Sequence, residues 1–443
     1  MIPVVAIIGR PNVGKSTLFN VIARKNIAIV HDMPGVTRDR NYVDIRLDKN
    51  TFTLVDTGGF DPVTEDDLSH LVQEHAQIAV EEADLIIFLM DGREGLLAED
   101  LEITRIIQKA EKPVLYVVNK VENRQTKENI TDYYRLGVDT VISISAKNKQ
   151  GIKDLLDEVC REIPQYQAEE FSKDETVVSI IGRPNVGKSS LINKILGYKR
   201  LLVSERAGTT RDPVDSLIRY NNRTMRFIDT AGIRKKSHRG YNLEKYSVFK
   251  ALRSINRSSV CILMIDASQG VTSQDAKLAA EICERSRACI LVINKWDLIV
   301  KGNKTHAAFI GQVRADLAFM DFAPIVAVSA LTGHRVRKIL DIIEGIGITY
   351  EKRVPTATFN RELKAIYDRH PPPRGRGSIT RIYYATQVNT GPPTFKVFTN
   401  KPRTFPPHYR KYLERSIRER FGFEGAPICL QITERDKKSK GRK

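Results

Sequence analysis

No apolar run in the 443 residues approaches the roughly 18–20 residues that a membrane-crossing helix needs, so a helical membrane span is not expected. Cysteine is sparse. Cys160, Cys261, Cys283, Cys289 and Cys429 stand far apart and without Cys-x-x-Cys spacing. That excludes a sequence-readable zinc ribbon or redox pair and leaves reduced thiols and a cytoplasmic setting as the expectation. Tryptophan occurs once and aromatics make up 7%, yet hydrophobic residues at 41% and charged residues at 28% are ordinary for a folded globular chain. The apolar start Val4-Val5-Ala6-Ile7-Ile8 lacks the basic flank of a signal peptide and runs directly into a glycine-containing loop. It reads as a buried strand.

Acidic residues are scarce at one end. From Glu351 to Lys443 there are 22 Lys and Arg against 8 Asp and Glu, while the first 350 residues carry 49 against 45. Most of the net charge of +18 therefore sits in the last fifth of the chain, as expected of a module that touches a polyanion.

What the sequence does contain, it contains twice. Gly9-Arg10-Pro11-Asn12-Val13-Gly14-Lys15-Ser16 recurs residue for residue as Gly182-Arg183-Pro184-Asn185-Val186-Gly187-Lys188-Ser189. Each copy follows an apolar strand candidate and opens a helical segment, the context in which this spacing makes a phosphate-binding loop. Glycine lets backbone N–H groups approach phosphate oxygens, the helix N-terminus adds its dipole, and Lys15 or Lys188 places a cation on the β- and γ-phosphates. Ser16 and Ser189 would offer a hydroxyl to Mg²⁺. Gly9, Asp39 and Asp56 match Gly182, Asp212 and Asp229 at an offset of 173, Asp91 and Asn119 match Asp266 and Asn294 at 175, and Ser145 matches Ser329 at 184. The second copy thus has a longer connection before its last motif.

Continuous apolar segments at 4–8, 51–55, 85–90, 114–118 and 140–144 alternate with helical-period segments such as 96–110 and 151–163. That pattern predicts an α/β fold, a mostly parallel sheet with helices on both faces, in each copy. The expected boundaries are 1–164 for the first domain, an acidic linker at 165–175, 176–350 for the second domain, and a basic α+β domain at 354–443. In that last region 360–367 and 409–421 read as helices, and 381–388, 395–399 and 428–433 as strands.

Asp56-Thr57-Gly58-Gly59-Phe60 and Asp229-Thr230-Ala231-Gly232-Ile233 follow strands where a second carboxylate would hold Mg²⁺ through water, and where the glycine amides of Gly59 and Gly232 would sense the γ-phosphate. Asn119-Lys120-Val121-Glu122 and Asn294-Lys295-Trp296-Asp297 each cap a buried strand. A carboxylate there accepts from guanine N1–H and the 2-amino group, a donor pair adenine lacks, so GTP and GDP are the expected ligands. Ser145-Ala146-Lys147 and Ser329-Ala330-Leu331 would complete the base pocket through backbone amides. The first copy carries Glu122 where the second has Asp297, which keeps the charge and shifts its reach.

Taken in order and twice over, these motifs resemble the EngA (Der) family of tandem-G-domain GTPases of bacterial ribosome assembly. The likeness covers essentially the whole chain, through Pro371-Pro372, Gly375-Arg376-Gly377, Tyr384-Ala385-Thr386-Gln387 and Pro392-Pro393-Thr394-Phe395 in the basic domain. It implies two P-loop GTPase domains and a C-terminal KH-like RNA-binding domain. It also implies slow Mg²⁺-assisted hydrolysis of GTP, nucleotide-dependent domain rearrangement, and binding to the large ribosomal subunit or its rRNA, by a chain expected to act as a monomer and off the membrane. Thr37 and Thr210 fall in the first switch region by the same likeness and would bind Mg²⁺. Phe60 and Ile233 stand where many GTPases use a water-orienting glutamine, and neither side chain can do that. In related GTPases the loop asparagine, here Asn12 or Asn185, helps coordinate K⁺. A nucleotide-gated RNA scaffold is the alternative reading. A GTPase attached to an RNA-modifying activity would need a further catalytic domain, and no motif for one is left over.

In the basic domain the only literal Gly-x-x-Gly is Gly422-Phe423-Glu424-Gly425, whose glutamate would repel phosphate, so it is expected to pack rather than grip nucleic acid. The RNA-contact candidates are Arg374, Arg376, Arg381, Lys401, Arg403, Arg410 and Lys411, with Tyr383 or Tyr409 as stacking platforms. The run Arg234-Lys235-Lys236-Ser237-His238-Arg239 falls in the second switch of the second copy.

Overall fold

Runs of Val, Ile and Leu too continuous for a one-sided sheet become central strands with both faces covered. The computed structural model describes residues 3–26, 42–47, 50–56, 80, 83–110, 112–123, 126, 129–163, 175–198, 202–206, 215–221, 223–230, 251–299, 305–372, 380–400, 402 and 405–434. The chain divides into two units, 1–170 and 171–443.

In the first unit the elements are β1 (Val4–Ile8), α1 (Lys15–Asn26), β2 (Tyr42–Leu47), β3 (Asn50–Asp56), β4 (Leu85–Asp91), α2 (Ala98–Gln108), β5 (Val114–Asn119), β6 (Ile142–Ser143) and α3 (Ile152–Glu162). The sheet order is β2-β3-β1-β4-β5-β6. All neighbours are parallel except the β2–β3 pair. Side chains alternate along β1: Val5 and Ile7 pack with Leu18, Ile22, Leu155 and Val159 on one face, and Ala6 and Ile8 with Ile103, Ile107 and Tyr133 on the other. From β1 the chain goes out to β2 and β3 on one side and then crosses to β4 on the other, so the carboxyl end of β1 is the crevice where an open α/β sheet binds ligands.

The second unit repeats this plan with β7 (Glu175–Ile181), α4 (Lys188–Leu196), β8 (Leu202–Arg206), β9 (Asp215–Tyr220), β10 (Arg223–Phe227), β11 (Val260–Asp266), α5 (Ser273–Glu284), β12 (Ala288–Asn294), α6 (Thr305–Asp316), β13 (Ile325–Ala327) and α7 (Val336–Tyr350). Its order is β8-β9-β10-β7-β11-β12-β13. The mostly parallel sheet expected from the sequence is present in both units. The antiparallel arms (β2, and β9 with β8) were not anticipated, because half-exposed edge strands interleave charged residues such as Asp44 and Arg46 with apolar ones.

The C-terminal part of the second unit runs α8 (Thr356–Arg369), β14 (Ile382–Asn389), β15 (Thr394–Thr399), α9 (Pro407–Phe421) and β16 (Cys429–Glu434). β15 pairs antiparallel with β14 and parallel with β16. Phe359 stacks on Phe395 at 4.4 Å over a core that includes Phe423, Leu413 and Ile417. Within Gly422–Gly425, Phe423 and Gly425 are buried while Gly422 and Glu424 are exposed, and Gly425 joins the preceding α/β domain: its N–H donates to Phe322 O at 2.9 Å, and Cys289 N–H donates to Gly425 O at 3.0 Å. Ala426 joins the core of that domain beside Ile346 and Tyr350. The Gly-x-x-Gly match thus packs protein through Phe423 and Gly425, while Glu424 stays exposed.

Candidate nucleotide-binding sites

Both phosphate loops fold alike because both need the same two backbone exceptions. Asn12 and Asn185 sit at φ 62°, and Gly14 and Gly187 at φ 99° and 102°. A Cβ on Gly14 would lie 2.4 Å from Asn119 Nδ2, and one on Gly187 would lie 2.2 Å from Asn294 Nδ2. Only glycine allows that approach. Lys15 Nζ donates to Gly9 O and Arg10 O at 2.9 and 2.6 Å, and Lys188 Nζ to Gly182 O and Arg183 O, both at 2.7 Å. Each ammonium is thereby held inside its own loop. Pro11 and Pro184 are half-buried, and Val13 and Val186 anchor the loops in the cores.

The Arg10 and Arg183 side chains turn away from the loops. Arg10 Nε donates to buried Asp100 of α2 at 2.9 Å, and Arg183 Nε to buried Asp275 of α5 at 3.0 Å, so each clamps its loop to a helix about 90 residues further along the chain. Burial pushes the Asp100 carboxyl up against the lowering pull of Arg10. Arg10 and Arg183 line the sites through their backbone only.

The base-recognition segments are tied to these loops by asparagine. Asn119 Nδ2 donates to Val13 O at 2.9 Å, and Asn119 Oδ1 accepts from Ala146 N–H at 2.9 Å. Asn294 does the same with Val186 O at 2.8 Å and Ala330 N–H at 2.9 Å. One amide therefore joins the phosphate loop, the base loop and the Ser-Ala loop in each copy. Lys120 bonds Asn12 O at 2.7 Å and ion-pairs with Asp91. Lys295 pairs with Asp266 at 2.6 Å. Burial alone would raise the Asp266 carboxyl, but the bonds from Lys295 and Ser268 leave it below its ordinary value. Ser145 and Ser329 are buried and receive the N–H groups of Asn148 and Thr332 at 3.3 and 3.1 Å. Val121 is buried, Trp296 packs edge-on to Phe309 at 5.5 Å, and Lys147 and Leu331 are exposed at the rim.

In the first copy these groups enclose a cavity of about 210 Å³ between Gly14, Thr17, Asn119, Lys120, Ser145, Lys147, Glu122 and Arg93. Thr17 and Arg93 were not anticipated from the motifs. Arg93 donates to Glu122 at 2.6 Å, and Ser145 Oγ donates to the other oxygen at 3.2 Å. The Arg93 bond holds the Glu122 carboxyl below the usual carboxylate range, so it stays ionised, and able to accept from guanine, to lower pH than an ordinary glutamate. The copies could have revealed the pair, since Arg93 matches Ser268 where Glu122 matches Asp297. A longer acid needs a tether that the shorter one does not. Arg93→Ser is expected to weaken GDP binding at the first site about three- to tenfold, the worth of one charge-assisted bond at a partly exposed place. Adding Glu122→Asp is expected to restore it, and titration in an Asp297→Asn background isolates the first site.

Metal-site candidates are placed in part. Ser16 and Ser189 lie exposed in the first turns of α1 and α4. Asp56 ends β3 and is buried, and Asp229 lies buried just past β10. Hydroxyl and carboxylate oxygens are hard donors that suit Mg²⁺. Asp229 accepts from Ser254 and from Arg257 at 3.4 Å, while Arg257 also reaches Asp215 at 3.4 Å. Burial raises the Asp215 carboxyl despite that arginine. Thr230 Oγ1 lies 3.0 Å from Ser216 Oγ. Thr37, Thr57, Gly58, Gly59, Phe60, Thr210, Ala231, Gly232, Ile233 and the basic run 234–239 lie outside the described residues.

The family model described as "50S ribosome-binding GTPase" matches residues 4–120 and again 177–295, and "KH-domain-like of EngA bacterial GTPase enzymes, C-terminal" matches 353–433. The chain belongs to the Der (EngA) family. GTPase Der of Geobacter metallireducens is 45% identical over 438 residues, 99% of this chain and 100% of the relative. GTPase Der of Caldanaerobacter subterraneus subsp. tengcongensis is 45% identical over 432 residues, 97% and 98% of the two chains. Among solved structures, Era in complex with MgGDPNP and part of 16S ribosomal RNA aligns at 22% identity and a TM-score of 0.31, covering 59% of this chain and 93% of that one. As a Der-family member the protein binds GTP and GDP with Mg²⁺ and hydrolyses GTP.

In the KH-like domain of this Der-family chain the RNA candidates separate. Tyr409 is a correction: it is 4% exposed, within the core between Phe405 and Tyr412, and cannot stack a base. Arg410 is spent on Glu414 at 3.1 Å and Leu430 O at 3.0 Å. Tyr383, Arg381 and Lys411 are exposed, and Tyr384, exposed and stacked on Phe398 at 4.3 Å, was overlooked. Arg374, Arg376, Lys401 and Arg403 lie outside the described residues. Among the described residues, no helix is long and apolar enough to cross a membrane.

Proposed function

We propose that GTP hydrolysis at the two sites controls attachment of this chain to the large ribosomal subunit or its rRNA during assembly, with the basic KH-like domain as the contact and a nucleotide-dependent domain rearrangement as the switch. The observation that carries this reading is the Gly425 junction, where the KH-like domain is hydrogen-bonded into the sheet whose strand β12 ends in the base-recognition Asn294. A module of this charge suits a polyanion. The domains act as 1–164, 176–350 and 354–443, joined by the linker 165–175, in a cytoplasmic monomer. Co-sedimentation with large subunits is expected to differ at least several-fold between GTP analogue, GDP and no nucleotide. Equal binding in all three states would refute the switch.

At each site Lys15 or Lys188 orients the terminal phosphates, and Glu122 or Asp297 selects guanine. Ser16, Asp56 and Thr37 would hold the metal in the first copy, and Ser189, Asp229 and Thr210 in the second. Mg²⁺, when bound, neutralises charge across the β- and γ-phosphates. Gly59 and Gly232 amides would read the γ-phosphate. With Phe60 and Ile233 unable to orient water, turnover is slow, and Asn12 and Asn185, both at φ 62°, supply a side-chain oxygen for K⁺. Exchanging K⁺ for Na⁺ is expected to slow steady-state phosphate release several-fold; identical rates in the two salts would exclude the ion.

A further inference from the structure

The two G domains are repeats, and at one place the described residues cover only the second. Cys289 of β12 and Phe322, just before β13, receive a single inserted residue: Gly425 accepts from the Cys289 N–H at 3.0 Å and donates to Phe322 O at 2.9 Å. The matching residues of the first domain follow from register. Val114 pairs with Ile86 as Cys289 pairs with Cys261, and Val117 pairs with Ile142 as Val292 pairs with Val326, which makes Val138 the counterpart of Phe322. Val114 and Val138 both line a groove of about 930 Å³ in the first unit. Cys289 is buried, whereas Val114 is half-buried beside that space. In a parallel ladder successive N–H groups point to opposite sides, so Val114 turns its N–H toward the groove as Cys289 turns its own toward Gly425.

The wall beside it differs in chemistry. α7 presents Ile346 to Gly425, with Ile342 and Gly345 preceding it. The matching positions of α3 are Glu162, Glu158 and Arg161. Glu158 ion-pairs with Arg161, while Asp139, Asp154, Asp157 and Glu162 have no ion pair among the described residues and line the same groove.

We propose that this groove binds an extended, lysine- and arginine-rich peptide segment of a protein partner, which inserts a residue between Val114 and Val138 as Gly425 does between Cys289 and Phe322. The open edge supplies backbone bonds, and alternate side chains of an added strand would reach the carboxylates. Nucleic acid is disfavoured by the same charges.

The test uses the full chain and a fluorescent synthetic peptide alternating lysine with valine. Asp154→Lys/Glu162→Lys, both exposed positions, is expected to weaken binding about tenfold or more and to leave GTP hydrolysis unchanged. Amide exchange at Val114 is expected to slow about tenfold when the peptide binds, and the same peptide N-methylated at alternate amides is expected to lose affinity to a similar degree. Equal affinity of the double variant, or of the methylated peptide, would overturn the proposal. So would unchanged exchange at Val114, or displacement of the peptide by an RNA oligonucleotide of equal length.

Discussion

Asp297→Asn is expected to lower GTP affinity at the second site by roughly a hundred- to a thousandfold and to raise affinity for xanthosine triphosphate. One of the two charge-assisted hydrogen bonds from guanine is lost and the other is reduced to a neutral one, and an amide nitrogen is turned toward the guanine 2-amino group, together about 3–4 kcal/mol. Xanthine, with a carbonyl where guanine has its amino group, accepts what the new amide donates. The exposed position of Asp297 and the absence of a tethering cation among the described residues make the loss local, so the fold is expected to survive. Titration with labelled nucleotide in a Lys15→Ala background reads the second site alone. GTP affinity unchanged by the substitution would refute the role of this carboxylate.

The second large effect is expected at Gly425. Its φ is +76°, and an added Cβ would lie 2.4 Å from both Cδ1 and Cγ1 of Ile346. Gly425→Val therefore combines a left-handed backbone for a β-branched residue with overpacking, together about 2–5 kcal/mol. Gly422, at φ +69°, has nothing within 4 Å of the same added atom. Gly422→Ala is thus expected to cost only about 1 kcal/mol, for conformation alone. Thermal unfolding separates the two, and fast amide exchange at Cys289 would accompany the first variant only. Equal destabilisation by both would mean that Ile346 moves aside freely.

Legibility of the fold followed burial. The segment 4–8 reads as a strand from its unbroken apolar run and is one, and the same holds for 85–90 and 114–118. The edge strand Tyr42–Leu47 was missed, because one solvated face dilutes its signal. Helix α8 begins at Thr356, earlier than residue 360, since the Pro355 carbonyl starts its hydrogen-bond ladder where no periodic apolar residue marks the turn. The site was legible wherever chemistry demands a fixed spacing along the chain, as in the loops and the Asn-Lys segments. It was not legible where partners lie far apart in sequence. Arg10 finds Asp100, and Arg93 finds Glu122, only once the sheet has formed. Tyr409 resembles an exposed platform in a basic helix, but the 3.6-residue period places it with Leu413 and Ile417 on the inward face.

Strand β12 links the C-terminal domain to the second base pocket. Its seven residues are all buried and all pair with β11, and Leu291, Val292 and Ile293 also pair with β13, so it moves as a rod or not at all. Cys289 near one end grips the C-terminal domain, and Asn294 at the other grips two loops around the purine, about 17 Å away at the usual rise per residue. Enlarging the side chain at Cys289 would therefore register at both ends of the rod, as a looser junction and as poorer discrimination between bases.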